Sequence, residues 1–348
     1  MAQDQDRPRK RRGAGRVTLN QVAREAGVSA ISVSRHFNQP EQVSAELRER
    51  IQAVVERLGY VPNLVAGGLA SARGRIVGMV VPNISGPIFA NTIQGFSDTL
   101  AGHGYQLLLA SSYFSTEQEE SAVRSFLGWS PAALAVTSHF HSEGTEKLLA
   151  DADIPLVEVW DYQPRRTPIQ VGFLHYDVGV MSARHLLDKG YRRIAFVQNS
   201  AAGDFSALDR RDGYADTLRE AGLEPWVFVP SSDSAPFEAG KQAMQHLMKR
   251  TPWPDAIIFA NDNLAAGGLL AAQRAGLRMP EDCAVMGFGD YAFAELLLPS
   301  LTTVRPPSRE IGEIAAQRVL QSLGALPAEQ PVQRLNRLAC KLVEREST

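Results

Sequence analysis

The 348-residue chain reads as a small all-α helix-turn-helix head followed by a two-lobed α/β body, each lobe built on a doubly wound parallel sheet. Three observations predict this. Residues 18–38, TLNQVAREAGVSAISVSRHFN, carry two short helical patterns around a glycine. From residue 75 the texture changes to short apolar runs alternating with amphipathic segments, the rhythm of a parallel sheet covered by helices. That rhythm restarts after residue 172, and two consecutive units of ~100–130 residues imply similar lobes with a cleft between them.

In the head, Val22, Ala23 and Ala26 form one apolar face. Gly27 breaks the first helix, and Val28 and Val33 pack back. Thr18 and Ser29 are placed to cap the two helices, because a side-chain oxygen there can accept a free backbone N–H. The second helix of such a motif enters the DNA major groove. Leu47, Ile51, Val54, Val55 and Leu58 follow at helical spacing, a third helix capped by Ser44 and ended by Gly59. Pro62 marks a boundary, and residues 63–70 (NLVAGGLA) are a weak helix candidate.

The body begins with an apolar run at 76–82 that ends in Pro, a buried strand. Helices are expected at 87–104, 117–129 and 143–152, separated by strands at 105–111, 133–138 and 155–160. The second series has helices at 177–189, around 213–221, at 237–249 and at 264–275. Strands at 193–198, 226–230, 256–260 and 283–289 alternate with them.

Bulk properties narrow the function. The chain has 44% apolar and 21% charged residues, ordinary for a globular protein. Cys283 and Cys340 are the only cysteines, far apart, which argues against a disulfide framework or zinc site and fits a reducing cytoplasm. No apolar run approaches the ~18 residues of a membrane span, and no secretory signal is visible. The net charge of −2 hides an asymmetry: residues 1–73 hold twelve Lys+Arg against seven Asp+Glu, the remainder 24 against 31. A basic head on an acidic body suits a polyanion at the head alone. Residues 1–16 read as a basic arm touching phosphates, or as a solvated tail. Neither a GxSxG elbow, a P-loop nor a GxGxxG with its acidic partner is present, which argues against an enzyme.

The pairing of VTLNQVAREAGVSAISVSRHFN with GYVPNLVAGGLA is specific. VGMVVPNISGPIFA, KGYRRIAFV, RRDGYADTLREAG, NDNLAAGGL, MPEDCAVMGFGD and PSLTTVRPP follow in order. Together these resemble the lac repressor/galactose repressor (LacI-type) family of bacterial transcription regulators, over residues 17 to about 340. LAVTSHFHSEGTEKLLADADIPLVEVWDY is most similar to the sugar-acid branch, the repressors of gluconate and ketogluconate operons. The resemblance implies a body like a periplasmic sugar-binding protein, and a homodimer, or a tetramer, on a palindromic operator. It places a DNA-binding domain at 17–61, a hinge helix and linker at 62–74, one lobe at 75–172 with 302–332, and the other at 173–301 with 333–348. The chain would cross between lobes three times.

The resemblance also implies site residues. The recognition helix spans 29–38, with Ala30 and Ile31 at base-reading positions. Both are apolar and offer only van der Waals contact, for instance to a thymine methyl. Arg35 is the polar candidate for a guanine edge or a phosphate. Ser29, Ser32 and Ser34 can donate to phosphates, and Thr18, Asn38 and Asn63 complete the DNA set. Leu69 would wedge into the minor groove, or else pack on the body. Gly67 and Gly68 each cost the hinge helix roughly 0.8–1 kcal/mol against Ala, so the hinge is expected to order only on DNA.

For a small-molecule effector, the resemblance points to Phe89, His139, His141, Glu158, Arg210 and Asp262. Arg210 can pair bidentately with a carboxylate or be a structural ion-pair partner, with Arg211 its substitute. Asp262 can take hydroxyls or cap the following helix. Phe89 can stack on the ligand or sit in the core. His139 and His141 can donate to a carboxylate; with Glu158 they are also a weak metal pattern. Leu174-His175 departs from the usual Asp-Asn of the family. No cofactor and no metal is expected. The implied activity is a repressor released by a sugar acid; a neutral-sugar effector, an effector-recruited activator and a solute-binding protein are the alternatives.

Overall fold

The computed structural model describes residues 17–62 and 74–348, apart from 165, 167, 200, 202, 232, 233, 329 and 330, and of Asn38 the backbone only. The basic arm at 1–16, Asn63, Gly67, Gly68 and Leu69 lie outside the described residues. Contacts divide the chain into two compact units, Met1–Gly74 and Arg75–Thr348.

The head contains α1 (Leu19–Ala26), α2 (Ala30–Asn38) and α3 (Ala45–Leu58), with a 3-10 turn at Pro40–Gln42. Thr18, Ser29 and Ser44 accept from the Gln21, Ser32 and Leu47 amides, satisfying N–H groups that a first helical turn leaves unpaired. Gln21 also accepts from the Thr18 amide at 2.8 Å, closing a capping box. Val22, Ala23, Ala26 and Val33 pack with Ile51, Val54, Val55 and Tyr60 in one small core. Outside that core, Arg57 of α3 pairs with Glu25 of α1 at 2.8 Å.

The first series of the body is β1 (Ile76–Val81), α4 (Pro87–Ala101), β2 (Gln106–Ser111), α5 (Thr116–Leu127), β3 (Ala133–Thr137), α6 (Glu143–Asp151), β4 (Leu156–Val159) and β5 (Ile169–Gly172). The second is α7 (His175–Asp188), β6 (Ile194–Val197), α8 (Phe205–Glu220), β7 (Trp226–Phe228), α9 (Pro236–Leu247), β8 (Ala256–Phe259), α10 (Asp262–Arg274), β9 (Ala284–Phe288) and β10 (Thr302–Arg305). Then come α11 (Ser308–Ser322), β11 (Leu335–Arg337) and β12 (Lys341–Val343).

One sheet has the order β11-β5-β4-β3-β1-β2, the other β12-β10-β9-β8-β6-β7. The pairings are parallel except that of β10 with the edge strand β12. Strands β3, β6, β8 and β9 are buried along nearly their whole length, as a sheet covered on both faces demands. Among the described residues no helix is long and apolar enough to cross a membrane.

Two boundaries differ from the sequence expectation. Residues 302–305 form β10 inside the second sheet, so the return to the first lobe comes after Arg305, not before residue 302. Residues 335–337 add β11 to the edge of the first sheet before β12 joins the second, so 333–348 does not belong to one lobe. These strands have only three or four residues, too short for alternation to reveal them.

A third difference positions the site. Helix α8 starts at Phe205, capped by Asp204, rather than near Gly213. Gly213 is not an entry point but a contact point. A Cβ there would collide with the Tyr176 carbonyl, and one on Gly179 with the Arg210 carbonyl. The two glycines let α7 and α8 approach backbone to backbone, which brings Arg210 against the start of α7.

Candidate functional site

A cavity of about 330 Å³ opens at the carboxyl ends of the strands in both lobes, where ligands of open α/β sheets bind. Pro82, Ser112, Ser138 and Trp160 follow β1, β2, β3 and β4. Asn199, Asn261 and Tyr291 follow β6, β8 and β9. The chain turns tightly at this rim: Phe114, Ser138 and Trp160 line the cavity with φ of 61°, 71° and 75°. Such backbone is costly for a side-chain-bearing residue and collects at ligand sites. Phe140 of the first lobe packs on Phe205 of α8 in the second, ring centres 4.9 Å apart, so both lobes close on the same space.

Arg210 lines this cavity and is only 5% exposed. Its Nη1 donates to His175 Nδ1 at 2.9 Å and its Nη2 to the Ala260 carbonyl at 3.2 Å. Its Nε has no hydrogen-bond partner among the described residues. The nearest carboxylate, Asp204, stands off at 4.0 Å, and it is occupied by Asn199 at 2.7 Å and by the cap of α8. Below the guanidinium lies the Phe288 ring, 4.3 Å from Cζ. Burial lowers the pKa of Arg210, with Asp204 acting against it. A buried cation with an open N–H edge is costly unless an anion completes it.

His175, absent from the sequence-derived set, holds that cation in place. Arginine only donates, so His175 Nδ1 must accept, and Nε2–H donates to the Trp160 carbonyl at 2.9 Å. The ring is therefore neutral: burial, then the charge of Arg210, push its pKa down to about 4. It spans from α7 to the end of β4 in the other lobe. In sequence, Leu174-His175 signals only a departure from the Asp-Asn of the family. That the histidine would back an arginine depends on the α7–α8 contact.

Of the other expected effector residues, Phe89 lines the cavity and packs on Trp160 at 5.1 Å. Asp262 does not line it, which corrects its expected role. Both its oxygens are spent inside the fold, accepting from Thr303 Oγ1 at 2.7 Å and the Tyr291 amide at 2.8 Å. Burial raises its pKa to about 6, against the Thr303 bond. Nor is it the cap, which is Asn261; Asn261 and Asn263 on either side are the residues that reach the cavity.

His139, His141 and Glu158 also lie outside the lining, where the sequence expected direct contacts. His139 Nδ1 bonds Asp161. His141 is fully buried between Glu119 at 2.7 Å and Glu158 at 3.8 Å. Phe140 between them faces the cavity instead. Glu158 lies inside β4, fully buried, accepting from Arg166 Nε at 2.9 Å and Gln170 at 2.7 Å. Burial raises its pKa, but His141, Arg166 and Gln170 outweigh that and hold it below the usual range. Arg211, the expected substitute for Arg210, is engaged by Asp212 at 2.6 Å.

In the head, Ile31 is 64% exposed on α2, and Arg35, one turn on, is exposed on the same face. No ion pair to Arg35 occurs among the described residues. Ala30 and Ser34 are half-buried beside them. Ser29 Oγ caps α2 and shares a 2.9 Å bond with Ser32 Oγ. His36 instead ties α2 to Gln52 of α3 at 3.2 Å. An exposed apolar and cationic helix face held by a small rigid core is the geometry of a groove reader.

Comparison with known proteins agrees with this geometry. Residues 18–63 match the bacterial regulatory proteins of the lacI family, and residues 183–348 a periplasmic binding protein-like domain. The HTH-type transcriptional regulator GntR of Escherichia coli (strain K12) is 32% identical over 306 residues, 88% of this chain and 91% of that protein. A LacI-family transcriptional regulator from Silicibacter pomeroyi superposes with a TM-score of 0.88 at 30% identity, covering 95% of this chain and 99% of the other. The lac repressor dimer bound to operator and the anti-inducer ONPF gives 0.82 at 26% identity, with coverages of 95% and 99%. With its capped helix-turn-helix, its two-lobed cavity and this match over most of its length, the chain belongs to the lacI family of bacterial regulatory proteins: it is a DNA-binding transcriptional regulator and not an enzyme.

Proposed function

We propose that this regulator is a cytoplasmic repressor that binds a palindromic operator as a dimer and is released when a sugar acid occupies the cavity between its lobes. The observation that carries the effector class is Arg210: a buried guanidinium whose Nε has no partner, at the wall of a cavity lined by side-chain hydroxyls and amides. A carboxylate fits that open edge with two parallel hydrogen bonds. Phe89 and Trp160 offer apolar faces to the carbon skeleton, and Asn261 and Asn263 offer amides to its hydroxyls. At the head, Arg35 and Ile31 lead the DNA contacts, with Thr18, Ser29, Ala30, Ser34, Asn38, Asn63 and Leu69 completing them. Dimerisation is supported by Leu296 and Leu298, 76% and 75% exposed on the segment after β9, since clustered exposed apolar groups mark protein contacts.

Thermal-shift screening of the full chain tests this. Gluconate or 2-ketogluconate should raise the melting temperature. Arg210→Ala should abolish the shift and keep operator affinity, whereas Arg35→Ala should keep the shift and weaken operator binding roughly 5- to 150-fold, the value of one good base contact. A shift with a neutral hexose or a purine, and none with any hexonate, overturns the assignment.

A further inference from the structure

We infer that Glu119 is a second recognition pole of the cavity, reading ligand hydroxyls, so that the effector is a polyhydroxylated acid and neither a plain carboxylic acid nor an amino acid. The inference rests on the reading of Arg210 as the carboxylate site and adds the other end of the ligand.

Glu119 sits in the first turn of α5, is only 7% exposed, and lines the same cavity as Arg210 from the opposite lobe. No described residue donates a hydrogen bond to either of its oxygens. His141 Nδ1 comes within 2.7 Å of Oε1, too far off-line for a hydrogen bond, and Oε1 is buried. Behind His141 the row continues to Glu158, at 3.8 Å, and to Arg166, whose Nε is 2.9 Å from Glu158. Burial disfavours the charged imidazole, but the carboxylates of Glu119 and Glu158 outweigh it and hold its pKa up to about 9. The cavity thus has an acceptor-only group backed by a fixed positive charge.

That arrangement discriminates between ligands. A carboxylate can only accept, so its partner must bring N–H or O–H. An ammonium group would surrender its hydration for a carboxylate whose charge His141 already balances, a poor return in a buried site. A neutral hydroxyl surrenders far less. Ser138, Thr137 and Thr116 line the wall with Glu119. Thr137 gives its hydrogen to the Val80 carbonyl at 3.1 Å and Thr116 to Glu117 at 3.3 Å, so both are left as acceptors, while the Ser138 hydroxyl can still donate. A polyol chain brings O–H donors to Glu119 and to the remaining hydroxyl lone pairs, whereas an alkyl chain leaves Glu119 unpaired, and a site built for hydroxyls rejects the analogue that lacks them.

Calorimetry on the full chain at neutral pH, with D-gluconate, 2-keto-D-gluconate, hexanoate and 6-aminohexanoate, tests the inference. The better hexonate should bind at least about tenfold tighter than hexanoate or 6-aminohexanoate. Glu119→Gln, and Glu119→Asp, which withdraws the acceptor by one methylene, should each weaken it about 10- to 100-fold while changing hexanoate less than about twofold. Melting of the unliganded variants reports their folding, and the wild-type ligand series needs no variant. Hexonate affinity kept by both Glu119 variants but lost in Arg210→Ala overturns the Glu119 role alone. Tighter binding of 6-aminohexanoate or hexanoate than of either hexonate overturns the ligand class. Absence of hexonate binding to the wild type overturns this inference together with the sugar-acid function.

Discussion

At the scale of single residues, neighbours in sequence take opposite jobs. In NDN, Asn261 caps α10 and reaches the cavity while Asp262 turns inward to Thr303 and Tyr291. In HFH, both histidines turn away to carboxylates and Phe140 faces the ligand space. The motifs were legible; which member faced the cavity was not, because one residue's rotation at a strand end is set by what packs behind it. His141 gives a measurable consequence. Its pKa of about 9 in the fold against 6.5 without it means the folded chain holds an extra proton between those values. Its contribution to stability is present in full below about pH 6.5 and is lost as pH rises through 9. Glu119 from α5 and Glu158 from β4 supply the attraction, with Arg166 beyond. Melting curves from pH 6 to 10 should therefore fall more steeply for the wild type than for His141→Gln; parallel curves would contradict the buried imidazolium.

At the scale of elements, local signals served the head well. Thr18, Ser29 and Ser44 cap the three helices, and Gly27 and Gly59 end α1 and α3 with φ of 64° and 62°. Caps and stops are local chemistry, so a sequence displays them. The body hid more. Helix α8 begins eight residues before Gly213, which resembles a helix start in sequence but is the contact that lets α8 lie on α7. Gly213→Ala should cost about 1–3 kcal/mol through overpacking, lowering the melting temperature by several degrees. It should also weaken effector binding, since the α7–α8 contact sets Arg210 against His175. A variant that melts like the wild type would show that the two helices can separate without cost.

At the scale of the whole molecule, repression and release are one linkage. An effector can loosen the operator only by binding the DNA-free form more tightly, and the factor must be the same in both directions. If gluconate weakens operator affinity by some factor, operator DNA must weaken gluconate binding by that factor, typically 5- to 150-fold. Titrations of each ligand with and without the other measure both, and a factor of one, gluconate binding without loosening the operator, would contradict release by the effector. The cavity is suited to such coupling, because His175 bonds the Trp160 carbonyl across the lobes and Phe140 meets Phe205.

The sequence by itself determined the head, its caps and its reading face, the two α/β lobes, and Arg210 as the anion candidate. The head, its caps and the lobes rest on contacts within a few turns of chain or on a pattern repeated along it; the reading face and Arg210 rest on the resemblance to the family. Only the tertiary structure decided that β10 and β11 exchange lobes, that Asp262, His139, His141 and Glu158 stand behind the cavity wall, that His175 backs Arg210, and that Glu119 lines the cavity. Those assignments depend on groups from different elements meeting in space, as His141 meets Glu119, Arg210 meets Ala260 and Leu335 of β11 meets Gln170 of β5. The orientation of a buried polar side chain is fixed by whichever distant partner satisfies it, and no local pattern records that partner.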